Sequence, residues 1–221
     1  MIFGMWDQPY FYIGPIPVDH IVVTQWALIA ILTVLAALAT RKIEMVPRGL
    51  QNVLEATVSW TRDFFSILIE NKAAAKQCAP FLTTVFIFIL VSNYSGLLPG
   101  AAAVEGFQPP TSNWNVTLGL ALSTAVAVQF FGFRSNGPKY LKRFLNPIAI
   151  LEEVTHPLSL TVRLFGNIFG EETILGYLLF MAPFFIPTAL MGLCLLLGAI
   201  QAIVFTLLSA NYIGSASGAG H

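Results

Sequence analysis

Residues 20–40 read HIVVTQWALIAILTVLAALAT, a run without one Asp, Glu, Lys or Arg. At about 1.5 Å per residue, a helix of that length matches the roughly 30 Å hydrocarbon core of a bilayer. That reading decides the class of fold, and the composition agrees with it. Of 221 residues, 56% are hydrophobic and 10% charged, and the mean hydropathy is +0.75. Such a chain falls outside the range of soluble domains, and the expectation is an all-α integral membrane protein. The segment ahead of the run, MIFGMWDQPYFYIGPIP, holds no Lys or Arg. It lacks the basic region of a signal peptide and is expected to be kept as a short irregular stretch at the interface.

Beyond Arg41 and Lys42, residues 48–70 mix charge with apolar residues at helical spacing, which predicts an interfacial amphipathic helix. Uncharged runs follow at 77–98, closed by Pro99-Gly100, and at 113–133, closed by Arg134. Two longer apolar segments, 148–182 and 188–214, flank a turn bracketed by Pro183 and Pro187 and are expected to form a helical hairpin. The whole reads as one membrane domain over 1–221, with about five membrane-embedded helices and one interfacial helix. Ten of the eleven basic residues fall within 41–76 and 134–143. Alternating spans put both regions on one side, and the positive-inside rule makes that side cytoplasmic, with the N-terminus outside and the C-terminus inside.

The same distribution excludes nucleic acid as a partner, because the net charge is zero and no basic face is concentrated anywhere. Cys78 and Cys194 sit in different apolar segments, and His20, His156 and His221 form no pair at ligand spacing. No metal and no cofactor is therefore expected. Neither a nucleotide-binding glycine loop nor a nucleophile with its base is present, so no soluble-type catalytic chemistry is encoded. Asn115-Val-Thr117 fits a glycosylation sequon, but a pattern that short is common by chance.

The eleventh basic residue is Arg163, inside the apolar run HPLSLTVRLFGNIFGEE from His156. On a helix with Arg163 at zero, Glu152 falls at about −20°, His156 at 20°, Ser159 at −40°, Asn167 at 40° and Glu171 at 80°. Mutual satisfaction inside a bundle could account for any one of them. Six in register point instead to an ion or substrate path, the usual meaning of ionisable groups in a membrane. Gly166 and Gly170 lie on the same side, at about −60° and −20°, and small residues four apart allow a second helix close. That helix could belong to this chain or to a partner; beside a desolvated guanidinium it should bring a carboxylate. Glu172 lies about 180° from Arg163 and so belongs to a separate polar site. On the last segment Cys194, Gln201 and Tyr212 share one face, with Ser209 beside them, and Gln201 is the group expected to pair with the preceding helix.

These segments, LEEVTHPLSLTVRLFGNIFGEE and GAIQAIVFTLLSANYIG, strongly resemble subunit a of the F-type ATP synthases. VPRGLQNVLEATV, SNYSGLLPG and PPTSNWNVTLGLAL extend the resemblance in family order over nearly the whole chain. It implies a non-catalytic stator whose long, tilted C-terminal hairpin faces the c-ring, with the peripheral-stalk subunit b, the rest of the complex and membrane lipid as further neighbours. It also implies that Arg163 is the essential arginine, Asn167 its neighbour one turn on, Glu172 the acid of the inlet half-channel and Gln201 the glutamine opposite. Glu152 and Glu153 match an acidic pair at the cytoplasmic outlet, of a type similar to plastid and cyanobacterial members. Asn115 matches a family asparagine at the outer end of the third span. Two positions depart from the pattern: Asn113 stands where many members have aspartate, and the histidine that partners the inlet glutamate in some members falls near Cys194. The coupling ion is set largely by the ring carboxylate, with protons expected and sodium the alternative. A bacterial plasma membrane is the preferred location, with thylakoid and mitochondrial inner membranes as alternatives. A secondary transporter or channel using an intramembrane arginine is the competing class, but no internal repeat of the arginine segment supports it.

Overall fold

The uncharged run forms a single helix, α1 (His20–Thr40), in which only Leu28 and Ala39 are buried. Trp26, Ile31, Val34 and Leu38 each expose more than half of their surface, an arrangement suited to hydrocarbon and costly in water. The computed structural model describes residues 11–13, 16–18, 20–41, 49–68, 72–97, 109–138, 140, 147–181 and 185–218. The Pro99-Gly100 turn signal, Pro183, and the basic residues Lys42, Arg48, Lys139, Lys142 and Arg143 lie outside these.

Ahead of α1 the chain is not wholly irregular, as the sequence had suggested. Strands β1 (Phe11–Ile13) and β2 (Ile16–Val18) pair antiparallel, with Phe11 opposite Val18 and Ile13 opposite Ile16. Aromatic and β-branched residues on either side of Gly14-Pro15 favour such a hairpin. Pro17 is tolerable because a two-stranded sheet has only edge strands. The regular elements among the described residues are otherwise helical.

Helix α2 (Leu50–Leu68) is amphipathic and lies against α3 (Lys72–Ser95) through a buried Thr61–Thr83 hydroxyl pair 2.9 Å apart. Trp60 stacks on Phe64, with ring centroids 5.4 Å apart, and leans on Phe86 of α3. Helix α3 starts within the KAAAK segment, where alanine and lysine carry helical conformation ahead of the uncharged run. A buried 3-10 turn, Pro110–Ser112, leads into α4 (Trp114–Asn136). Asn113 caps α4 by accepting the Asn115 N–H at 2.8 Å, and Gly137 ends it with φ 59°, the left-handed conformation glycine tolerates best.

The last two helices are α5 (Pro147–Met181, 35 residues) and α6 (Phe185–Gly218, 34 residues). Each is about 50 Å long, so neither can stand upright within a roughly 30 Å core; they must tilt or project beyond it. Pro187 lies in the first turn of α6 rather than in the turn before it, where a missing N–H costs no intrahelical bond. Helix α6 is the centre of the bundle, packed against α3, α4 and α5. Its inward face carries Ala202, Phe205, Ala210, Ile213 and Ala216, all fully buried against Leu82 and Ile89 of α3, Ala121 and Val128 of α4, and Leu160 and Leu164 of α5. Side chains of α4 close the lower end of α6. Asn136 donates to the Ala216 carbonyl at 2.8 Å and Ser135 to that of Ser217 at 3.1 Å.

Among the described residues, four helical stretches are long and apolar enough to cross a membrane, His20–Thr40, Ala75–Ser95, Trp114–Asn136 and Thr188–Gly218. They make the chain an integral membrane protein. Helix α5 is not among them because of its polar stripe, and it is seated between α4 and α6, which are.

Candidate functional site

The polar stripe of α5 meets the polar face of α6 at three levels. At one end the Glu171 carboxyl faces the Cys194 thiol. Near the middle, Asn167 Nδ2 donates to Gln201 Oε1 at 2.7 Å. Further along, the His156 ring stacks flat on Tyr212, with centroids 3.8 Å apart and planes 6° apart. Arg163 lies between the second and third contacts, half-buried, its charge facing Tyr212 across the interface. Cys194, Gln201 and Tyr212 thus share one side of α6, as their helical spacing requires. Ser209 turns back to donate to the Phe205 carbonyl of its own helix.

Arg163 has no ion-pair partner among the described residues. The glycines beside it are equally open. A Cβ built on Gly166 or Gly170 would meet nothing within 4 Å, so no helix of the described chain uses their close-approach surface. Gly198 of α6 differs, for a Cβ there would lie 3.3 Å from that of Asn93. Ordinary internal packing explains Gly198 and leaves Gly166 and Gly170 unexplained.

Glu172 lies on the other side of α5 and faces the Ser112 hydroxyl in the 3-10 turn. Buried polar groups continue from there. Thr111 donates to Asn93 Oδ1 at 2.8 Å, and Asn93 Nδ2 donates to the Gly198 carbonyl at 3.0 Å, one turn from Gln201. Ser92 Oγ and Gln201 Nε2, both buried, have no hydrogen-bond partner within the described chain. Buried polar atoms seldom stay unsatisfied, so water or a partner's group belongs against them.

At the other end of the interface a small, partly open cleft is lined by Glu153, His156 and Tyr212 together with Thr124, Val128 and Pro157. Gln129 of α4 donates to the Glu153 carboxylate and accepts from the Tyr140 hydroxyl at 2.9 Å. Glu152 and Ser159 are exposed and outside this cleft. Asn115 is exposed in the first turn of α4, with its N–H on the Asn113 cap. Asn93, Gln129, Tyr140 and the stacking role of Tyr212 were not anticipated from sequence. The signal available was a single amide in each of two apolar runs, VSNYSG and AVAVQFF.

The family described as ATP synthase A chain matches residues 22–214, a range that contains every residue of the site. Among individual proteins, the chain is similar to ATP synthase subunit a of Moorella thermoacetica, at 40% identity over 214 residues, 93% of this chain and 94% of the relative.

Proposed function

The chain belongs to the ATP synthase A chain family, and from that premise we propose that it is the stator subunit that carries protons past Arg163 to and from a rotating ring of partner carboxylates. The observation that carries this reading is the open surface at Gly166 and Gly170 next to an arginine without an ion-pair partner in its own described chain. A ring helix bearing a carboxylate completes both. The ring and the peripheral stalk are the protein partners in this reading, and the subunit itself is non-catalytic.

Protons arrive from outside along the buried polar groups at Ser92, Asn93, Ser112 and Glu172. They neutralise a ring carboxylate, which can then enter lipid, where its ionised form would cost several kcal/mol. After a near-complete turn the carboxylic acid returns and releases its proton into the cleft at His156 and Glu153, and the carboxylate so formed is stabilised by Arg163. The guanidinium separates the two paths because it stays charged even when desolvated. Asn167 and Gln201 hold α5 and α6 together at that point. With basic loops inside, the Glu172 path opens outward and the Glu153 cleft opens to the cytoplasm.

The test is Arg163→Ala in the assembled complex, with ATP-driven proton uptake measured in inverted vesicles. Uptake is expected to vanish while the amount of this chain in the complex is unchanged. Normal uptake would refute the assignment.

A further inference from the structure

We propose that Gln129 is a positioning residue for Glu153, with Tyr140 setting the direction of its amide. The inference rests on reading the Glu153 cleft as the cytoplasmic-side half-channel. Tyr140 comes from the connection after α4 and is 5% exposed. Its ring lies so close to α4 that a Cβ on Gly132 would fall 2.7 Å from it. A tyrosine seated this tightly has little freedom to move its hydroxyl, which meets Gln129 Oε1 at 2.9 Å. That contact orients the amide. With the oxygen accepting from Tyr140, the NH2 group faces α5, where it donates to the Glu153 carboxylate.

The Glu153 side chain has several rotatable bonds, and a fixed hydrogen-bond donor narrows the arrangements it can adopt. The amide holds it at the wall it shares with His156 and Tyr212. A charge-assisted hydrogen bond is roughly twice as strong as a neutral one, enough to select one arrangement of the carboxylate. Gln129 thus acts on translocation through Glu153 without itself exchanging protons with the ring.

Gln129→Met keeps the side-chain volume and removes both hydrogen bonds. In assembled complexes with normal amounts of this chain, it should lower ATP-driven proton uptake about tenfold, the size expected for losing one hydrogen bond to a charged group. In a Glu153→Gln background the same substitution should change uptake by less than about twofold, because coupled residues do not add. A merely structural Gln129 would lower uptake by the same factor in both backgrounds, and that result would overturn the inference, as would wild-type uptake in Gln129→Met. If Gln129→Met fails to assemble, Tyr140→Phe carries the same comparison with the loss of a single oxygen; an about threefold effect that disappears with Glu153→Gln is expected. Wild-type uptake in Glu153→Gln alone would remove Glu153 from the path and overturn the inference, while the role of Arg163 stands or falls separately on Arg163→Ala.

Discussion

Asn167 and Gln201 are joined by a 2.7 Å hydrogen bond that fixes α5 to α6 one helical turn from Arg163. The two ends differ in their surroundings, since Gln201 is 3% exposed and Asn167 is open. Replacing Gln201 by Leu leaves the Asn167 amide able to turn outward, but it also removes the buried Nε2 that has no partner in the described chain. The helix pair should therefore keep its stability within about 1 kcal/mol, because neither end of the bond is left buried and unpaired: Asn167 turns to water and the Gln201 amide is deleted. Proton uptake should nevertheless fall at least about tenfold, since α5 loses its anchor beside the arginine. Thermal unfolding and proton uptake of Gln201→Leu test this together; a large loss of stability with uptake retained would contradict it.

Gly166 and Gly170 offer a sharper division between folding and function. A Cβ at either position meets nothing within 4 Å inside the described chain, and leucine is a better helix former than glycine by up to about 1 kcal/mol. The chain should fold and insert normally, whereas coupled uptake should drop steeply because a ring helix can no longer approach. Gly198→Leu is the control for internal packing. Its side chain would drive into Asn93 on α3, and destabilisation of about 1–3 kcal/mol is expected. Normal uptake in Gly166→Leu together with Gly170→Leu would show that no close neighbour binds there.

The polar stripe was legible in the sequence because a 3.6-residue period puts Glu152, His156, Arg163 and Asn167 on one side of α5 without any knowledge of the neighbours. The same arithmetic separated Glu172 and aligned Cys194, Gln201 and Tyr212. It could not say which atoms would meet. The Gln129–Glu153, Thr111–Asn93 and Asn93–Gly198 contacts join residues 24, 18 and 105 positions apart, and no local pattern encodes them. Tyr140 was illegible for a related reason, since no local pattern announces that its ring packs against Gly132. Periodicity also assigned Ser159 to the stripe, and it lies exposed there like Glu152 and Asn167. The apolar run before α6 concealed the start of that helix because Pro187 reads as a breaker, although proline suits a first turn.

Glu172 and Ser112 should share one aqueous path. In a chain whose own cysteines are replaced, Cys78→Ala and Cys194→Ala, a thiol introduced by Glu172→Cys should react with a small water-soluble reagent added from outside. Both native cysteines are buried, so their removal clears the background at a modest cost to packing. Ser112→Cys should react from the same side and more slowly, since Ser112 is only 8% exposed. Reaction of both from the cytoplasmic side would reverse the orientation, and resistance of both under every condition would remove this path from the inlet.

Arg163→Lys asks what kind of charge the site requires. The side chain is half-buried between the Asn167–Gln201 bond and the His156–Tyr212 stack, so a substituted ammonium would be partly desolvated. Lysine responds to desolvation by giving up its proton, whereas arginine effectively never does. A lysine that can bind and release a proton at the boundary between two half-channels would act as a relay across it. Two consequences follow for membranes carrying the assembled complex. ATP-driven uptake should be lost as completely as in Arg163→Ala, despite the conserved formal charge. Passive proton flux through the membrane sector, measured after removal of the catalytic part, should exceed the wild-type flux. Uptake at the wild-type rate in Arg163→Lys would mean that any cation suffices, and that the separation of the two paths rests on geometry rather than on a charge that cannot be neutralised.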